Sequence, residues 1–143
     1  MKISTRIRYA LRAMIDLTQN PSNNPVPLTS IAQNQKLPLK YLENLFVSLR
    51  QANLVVAIRG IHGGYQLARS PENISVLDIF RAIEGDVVLV NCVRDHAEVC
   101  WHRNNCPTQP LWADLSLVLA RRMAEISLRD LANGQTLGEP AHE

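Results

Sequence analysis

From Thr5 to Thr18 the apolar residues Ile7, Ala10, Leu11, Met14 and Leu17 recur at three- and four-residue intervals. That spacing predicts an amphipathic helix with Ser4 or Thr5 as its cap. The turn formers Asn20-Pro21-Ser22-Asn23-Asn24-Pro25 end it. Between Leu28 and Ala52 two further helical patterns flank a break at Lys36-Leu37-Pro38. Ala32 lies four residues before Lys36, ten before Leu42 and thirteen before Leu45. This is the spacing of a helix-turn-helix, in which a small residue admits the second helix and two leucines pack it back. Lys36 occupies the turn position where glycine is usual, so a left-handed backbone there would cost about 1 kcal/mol.

Two β-prone runs follow, Leu54 to Ile58 and Tyr65 to Ala68, joined by a glycine-containing turn. They predict a hairpin, and a hairpin directly after a helix-turn-helix is a wing. Ser75-Val76-Leu77-Asp78 reads as a capping box opening a helix through Leu77, Phe80 and Ile83, stopped by Gly85. Residues 86–109 show no periodicity. A longer helix is predicted to start between Thr108 and Leu111, with Leu111, Leu115, Val118, Leu119, Met123 and Ile126 on one wide apolar face beside Trp112. So much apolar helix exceeds what one small core absorbs, and a second copy of the chain is its expected partner. Ser127-Leu128-Arg129-Asp130 reads as a second capping box and starts a short last helix. The expected fold is mainly α with a small β-hairpin wing. Residues 1–70 form a winged helix-turn-helix, residues 71–132 carry the loop 86–109 and the dimerisation helices, and residues 133–143 are a disordered tail.

Composition changes this picture little, whereas charge changes it a good deal. With 143 residues and 46% hydrophobic content the chain fills one or two compact units. It contains no run of about 18 apolar residues and no secretory leader pattern, so a soluble, cytoplasmic protein without a membrane partner is expected. The net charge is only +2, but nine cations face two acids in residues 1–70, whereas six face eleven in the remainder. A +7 half beside a −5 half points to a polyanion partner for the first.

The most concentrated chemistry of the basic half is Arg59-Gly60-Ile61-His62-Gly63-Gly64-Tyr65. Gly60, Gly63 and Gly64 permit a sharp tip and a close backbone approach, and Arg59 places a fixed charge beside them. A phosphate-binding loop would need a following helix and Gly-Lys-Ser/Thr, and a KH loop would need to join two helices; neither context is present. The acidic half holds Cys92, Cys100 and Cys106 in a polar, aperiodic stretch. Three thiols cannot complete a disulfide framework within one chain, and thiols gathered in a loop suit a soft metal or an iron–sulfur cluster. Zinc or free thiols are the alternatives, since the spacing matches neither zinc ribbons nor ferredoxins. His96 and His102 are candidate fourth ligands. Cys100 and His102 lack the orienting third group and oxyanion hole of a nucleophilic enzyme, so no catalysis is expected.

Taken together, "MKISTRIRYALRAMIDL", "YLENLFVSLRQANLVVAIRGIHGGYQLAR", "VLDIFRAIEG" and the three-cysteine loop resemble the Rrf2 family of bacterial transcriptional regulators. The resemblance runs from Met1 to about Leu131. It implies a homodimeric winged-helix protein whose long C-terminal helices cross, with Cys92, Cys100 and Cys106 matching the three cluster ligands. IscR-like members carry a histidine three residues past the last cysteine, where this chain has Gln109. NsrR-like members draw an aspartate from the first helix of the other subunit, where this chain has Arg8. Neither branch therefore hands down the fourth ligand or the cluster type, two-iron or four-iron; Glu98 joins the two histidines and Gln109 among the candidates.

The expected function is a homodimeric regulator that binds a near-palindromic site on double-stranded DNA and senses iron, redox state or nitric oxide through the cluster. A cluster-free or zinc-bound thiol-redox regulator of the same fold is the alternative. Leu39, Lys40, Glu43 and Asn44 are placed to enter the major groove at the start of the second helix of the motif. There Glu43 can accept from cytosine, Asn44 can pair with adenine, and Lys40 can meet guanine or phosphate. Arg6, Arg8, Tyr9 and the wing backbone at Gly60, Gly63 and Gly64 position phosphates, and Arg59 reads minor-groove width.

Overall fold

The structure is a computed structural model that describes residues 2–94, 100 and 105–134. Helix α1 (Thr5–Gln19) starts where the Ser4 hydroxyl accepts from the Ile7 N–H, and it buries Ile7, Ala10, Ala13, Met14 and Leu17. Helices α2 (Leu28–Gln35) and α3 (Leu39–Gln51) form the expected motif, with Ile31, Leu42, Leu45, Phe46 and Leu49 buried. Lys36 does adopt the left-handed conformation, φ 53° and ψ 49°. It lets the Lys36 and Leu37 N–H groups return to the Gln33 and Ala32 carbonyls, which closes α2 and turns the chain into α3.

Strands β1 (Val55–Ile58) and β2 (Gly64–Leu67) pair antiparallel, Val55 with Leu67 and Ile58 with Gly64. Val26 pairs with Tyr65 on the far side of β2, giving the wing a third, single-residue strand from a segment read as loop. The wing is fastened to α3 by Phe46 and Tyr65, whose rings meet edge-on at 4.7 Å.

After a 3-10 turn (Pro71–Asn73), α4 (Val76–Glu84) and α6 (Leu128–Ala132) each begin with a complete capping box, on Ser75/Asp78 and Ser127/Asp130. The two N-caps also pair with each other: Val76 donates to the Ile126 carbonyl and Leu128 to the Ile74 carbonyl. Both helices pack on α1. A single apolar core therefore continues from Ile7 through Phe46 to Ile79, Ile83 and Leu128. The last short helix helps close this core through Leu128.

Helix α5 (Gln109–Glu125) differs from the others. It leans on α4 and on the 3-10 turn Asn91–Val93, and Ser116 is its one buried residue. Ser116 bridges two backbones, its hydroxyl donating to the Trp112 carbonyl and accepting from the Leu89 N–H. Leu111, Leu115, Leu117 and Val118 stand about half exposed, while Trp112, Leu119, Met123 and Ile126 are partly covered. The expected tail lies outside the described residues from 135 onward. No helix is long and apolar enough to cross a membrane among the described residues.

Candidate nucleic-acid interface and cysteine loop

Helix α3 begins with Leu39, Lys40 and Asn44 exposed and Glu43 half buried. Buried Leu42 and Leu45 fix the helix from behind, so these four side chains share its open N-terminal end. Lys40 Nζ lies 3.3 Å from Glu43 Oε2, an exposed i,i+3 pair. Such a pair adds little stability and sets the two groups side by side.

The wing explains its glycines differently from one another. A Cβ on Gly63 would fall 2.3 Å from the Ile58 carbonyl oxygen, and one on Gly64 would fall 2.3 Å from the Val26 carbonyl oxygen. Both glycines thus admit the protein's own backbone, at the hairpin turn and at the third strand. Gly60, at φ +122°, has open space around it. Of the three wing glycines, it alone combines a positive φ with a clear approach from outside. The Gly63 N–H returns to the Gly60 carbonyl at 3.0 Å, which leaves Arg59, Gly60, Ile61 and His62 exposed at the tip.

The first helix supplies a third contact surface. Arg6 and Arg8 are exposed, and Arg8 donates to the Thr5 hydroxyl. Tyr9 is half buried, edge-on to Tyr41 at 5.6 Å. Arg12, one turn further along the same helix, has a structural task. It lies over the Tyr9 ring and donates to the Gln35 side chain and carbonyl. The Gln35 amide in turn donates to Asp16 at 2.8 Å. This chain of bonds ties α1 to the end of α2 beside the Lys36 turn, and only the fold brings its members together.

Cys92 sits in the 3-10 turn Asn91–Val93 and Cys106 just before α5; all three cysteines are half buried and unpaired. The Thr108 hydroxyl lies 3.3 Å from the Cys106 sulfur. Hydrogen bonding from the Thr108 side chain, then from its backbone, holds the Cys106 thiol below the usual range. Gln109 is the first residue of α5 and half buried. His96, Glu98 and His102 lie outside the described residues. Among the described residues no group of three or more His, Cys, Asp or Glu side chains is gathered for a metal ion.

The model of the Rrf2 family, described as iron-dependent transcriptional regulator, matches residues 3–134. The chain belongs to the Rrf2 family. The HTH-type transcriptional regulator IscR of Yersinia pseudotuberculosis is 36% identical over 141 residues, covering 99% of this chain and 85% of that one. Among solved structures, CymR, the global cysteine regulator of B. subtilis, superposes with a TM-score of 0.77 at 37% identity over 94% of this chain and 98% of its own. IscR of T. potens superposes with a TM-score of 0.73 at 32% identity over 100% and 94%. This Rrf2 protein is accordingly a winged-helix, DNA-binding regulator of transcription and not an enzyme.

Proposed function

We propose that this Rrf2 protein is a homodimeric, operator-binding regulator that reads DNA with residues 1–70 and senses through the cysteine loop. The observation that carries the DNA-reading part is the exposure, on the +7 half of the chain, of Leu39, Lys40 and Asn44 beside half-buried Glu43, together with the wing tip at Arg59. Two α3 helices related by a two-fold axis would meet half-sites roughly 34–36 Å apart, or a multiple of that. Arg6 and Arg8 would hold phosphates, with Tyr9 supporting them from its half-buried place against Tyr41. The pairing surface is α5, whose leucines at 111, 115 and 117 and Val118 stand about half exposed among the described residues.

Cys92, Cys100 and Cys106 suit an iron–sulfur cluster by donor chemistry: three unpaired thiols in one loop, one of them favoured as thiolate. When bound, a cluster would supply a state responsive to iron, oxygen or nitric oxide, with His96, His102, Glu98 or Gln109 as candidates for the fourth position. The loop reaches α5 directly, since Cys106 lies three residues before Gln109, so a change at the thiols reaches the pairing helix through its first turn.

A second reading has its own support. The three sulfurs are not gathered in the described residues, and the lowered Cys106 thiol suits thiol–disulfide or zinc chemistry. The likeness to CymR fits this reading too. An anaerobic visible absorption spectrum with iron, sulfide and zinc analysis tests both. Brown protein with matching iron and sulfide supports the cluster. Colourless protein after reconstitution, with DNA binding altered by oxidant and insensitive in the triple Cys→Ala variant, supports the thiol.

A further inference from the structure

At the extreme of the wing stands Ile61, 98% exposed, the most open large apolar side chain in the described structure. Single exposed apolar residues on protein surfaces are ordinary and carry no meaning alone. Ile61 differs by where it stands and how it is held. The Gly63 N–H to Gly60 carbonyl bond closes a tight turn beneath it, and Gly60 takes φ +122°, so Ile61 projects from the turn as a fixed point rather than a frayed end. Arg59 and His62 flank it, both exposed, and no acid lies between Glu43 and Glu72. A β-branched side chain with restricted rotamers, carried on a cationic tip of a DNA-binding wing, has the shape of a minor-groove probe.

The floor of that groove differs between base pairs in one group. A·T pairs present only acceptors, whereas G·C adds the N2 amine of guanine, which stands up from the floor and needs a hydrogen-bond partner. An isoleucine pressed against the floor offers the amine no acceptor and excludes its water. The same side chain makes unimpeded contact over A·T.

The geometry points to Ile61 as a specificity-determining residue that rejects guanine's N2 amine where the wing tip enters the minor groove. This rests on the reading that the wing, led by Arg59, meets DNA. The two side chains divide the work. Arg59 is drawn by the negative potential of a narrow groove over several base pairs, and Ile61 senses the amine at the one or two pairs beneath it. His62 can donate from its ring to the acceptors on either side.

The test begins with duplexes recovered by the wild-type protein from a random-sequence pool, then varied one pair at a time outside the major-groove core. Inosine·C removes the N2 amine from G·C, and 2,6-diaminopurine·T adds it to A·T. Wild type is expected to bind inosine·C as it binds A·T at the tip position, and to lose roughly three- to tenfold on G·C and on diaminopurine·T. Ile61→Ala should keep most of its affinity on A·T and bind the four pairs alike. The side chain is exposed, so folding is untouched, as circular dichroism would verify. Arg59→Ala should weaken binding to every duplex while the amine-bearing pairs at the tip stay the worse ones. Amine discrimination that persists in Ile61→Ala overturns the inference and leaves the wing in the groove. If neither variant changes affinity or selection, the wing reading itself fails.

Discussion

A methyl group on Gly64 would lie 2.3 Å from the Val26 carbonyl oxygen, with Pro27 immediately behind it. Backbone cannot yield there as a flexible side chain could, so Gly64→Ala is expected to cost about 1–3 kcal/mol, read from the urea midpoint. Lys36 presents the opposite case. It takes a left-handed conformation at the end of α2 that costs a residue with a Cβ about 1 kcal/mol, and its side chain is exposed. Lys36→Gly should therefore raise stability by about 0.5–1 kcal/mol with no change in the denaturant slope. The Lys36 conformation is readable from helix-turn-helix spacing, because it follows from local chain geometry. The task of Gly64 is not, because Pro25-Val26-Pro27 carries every mark of a loop and nothing local announces that Val26 pairs with Tyr65. The task of Arg12 is hidden for the same reason: its hydrogen-bond partner, Gln35, lies 23 residues away.

At the scale of elements, the boundaries of α4 and α6 are legible because a capping box is a four-residue pattern with its own chemistry. Their mutual arrangement is not, since Ser75 and Ser127 are 52 residues apart yet bridge strand-fashion at the two N-caps. This doubling makes the second box more than a local cap. Ser127→Ala should cost about 1 kcal/mol globally rather than fray a terminal turn, because α6 seals Leu128 into the core against α1. Amide exchange at Ile79 and Met14 would report the difference. Asp130 adds a pH dependence. Hydrogen bonding from the Ser127 backbone, then from its side chain, holds its carboxyl below the ordinary 3.8. A lowered carboxylate pKa stabilises the fold fully above the ordinary value, and the contribution is lost as pH falls through the lowered one. Asp130→Asn should accordingly flatten the acid limb of the stability curve relative to wild type, while leaving the limb above neutrality unchanged. Helix α5 is legible from the spacing of its apolar residues. Ser116, the residue it buries, carries no signal in a hydrophobic pattern; its worth lies in two backbone partners at Trp112 and Leu89.

At the scale of the molecule, the division of charge and the division of apolar surface coincide. The basic half supplies most of the apolar core, around Phe46 and Met14, whereas the acidic half adds Ile74, Ile79, Ile83 and Leu128 to it and sends out a helix whose large side chains remain half in water. An exposed stripe of Leu111, Leu115 and Val118 on 17 helical residues is costly in a monomer and ordinary in an isologous pair. If α5 pairs with α5, two weak half-site contacts become one strong one, because binding of the first α3 sets the second at high effective concentration. Charges placed at Leu115 and Val118 together, as Leu115→Lys with Val118→Glu, should leave each chain folded, since neither side chain is buried. Sedimentation should then show a monomer for the variant and a dimer for wild type. Affinity for a full palindromic duplex should fall by at least about 100-fold, while affinity for an isolated half-site changes little. A variant that still sediments as a dimer would move the pairing surface elsewhere, and a wild type that binds whole and half sites alike would remove the two-fold operator from the picture. The same variant bears on the cysteine loop, because Cys106 lies at the start of the helix that carries the stripe. If the loop acts as proposed, by adjusting the spacing between two readers, iron or oxidant should shift operator binding in the dimer and have no effect on half-site binding by the monomer.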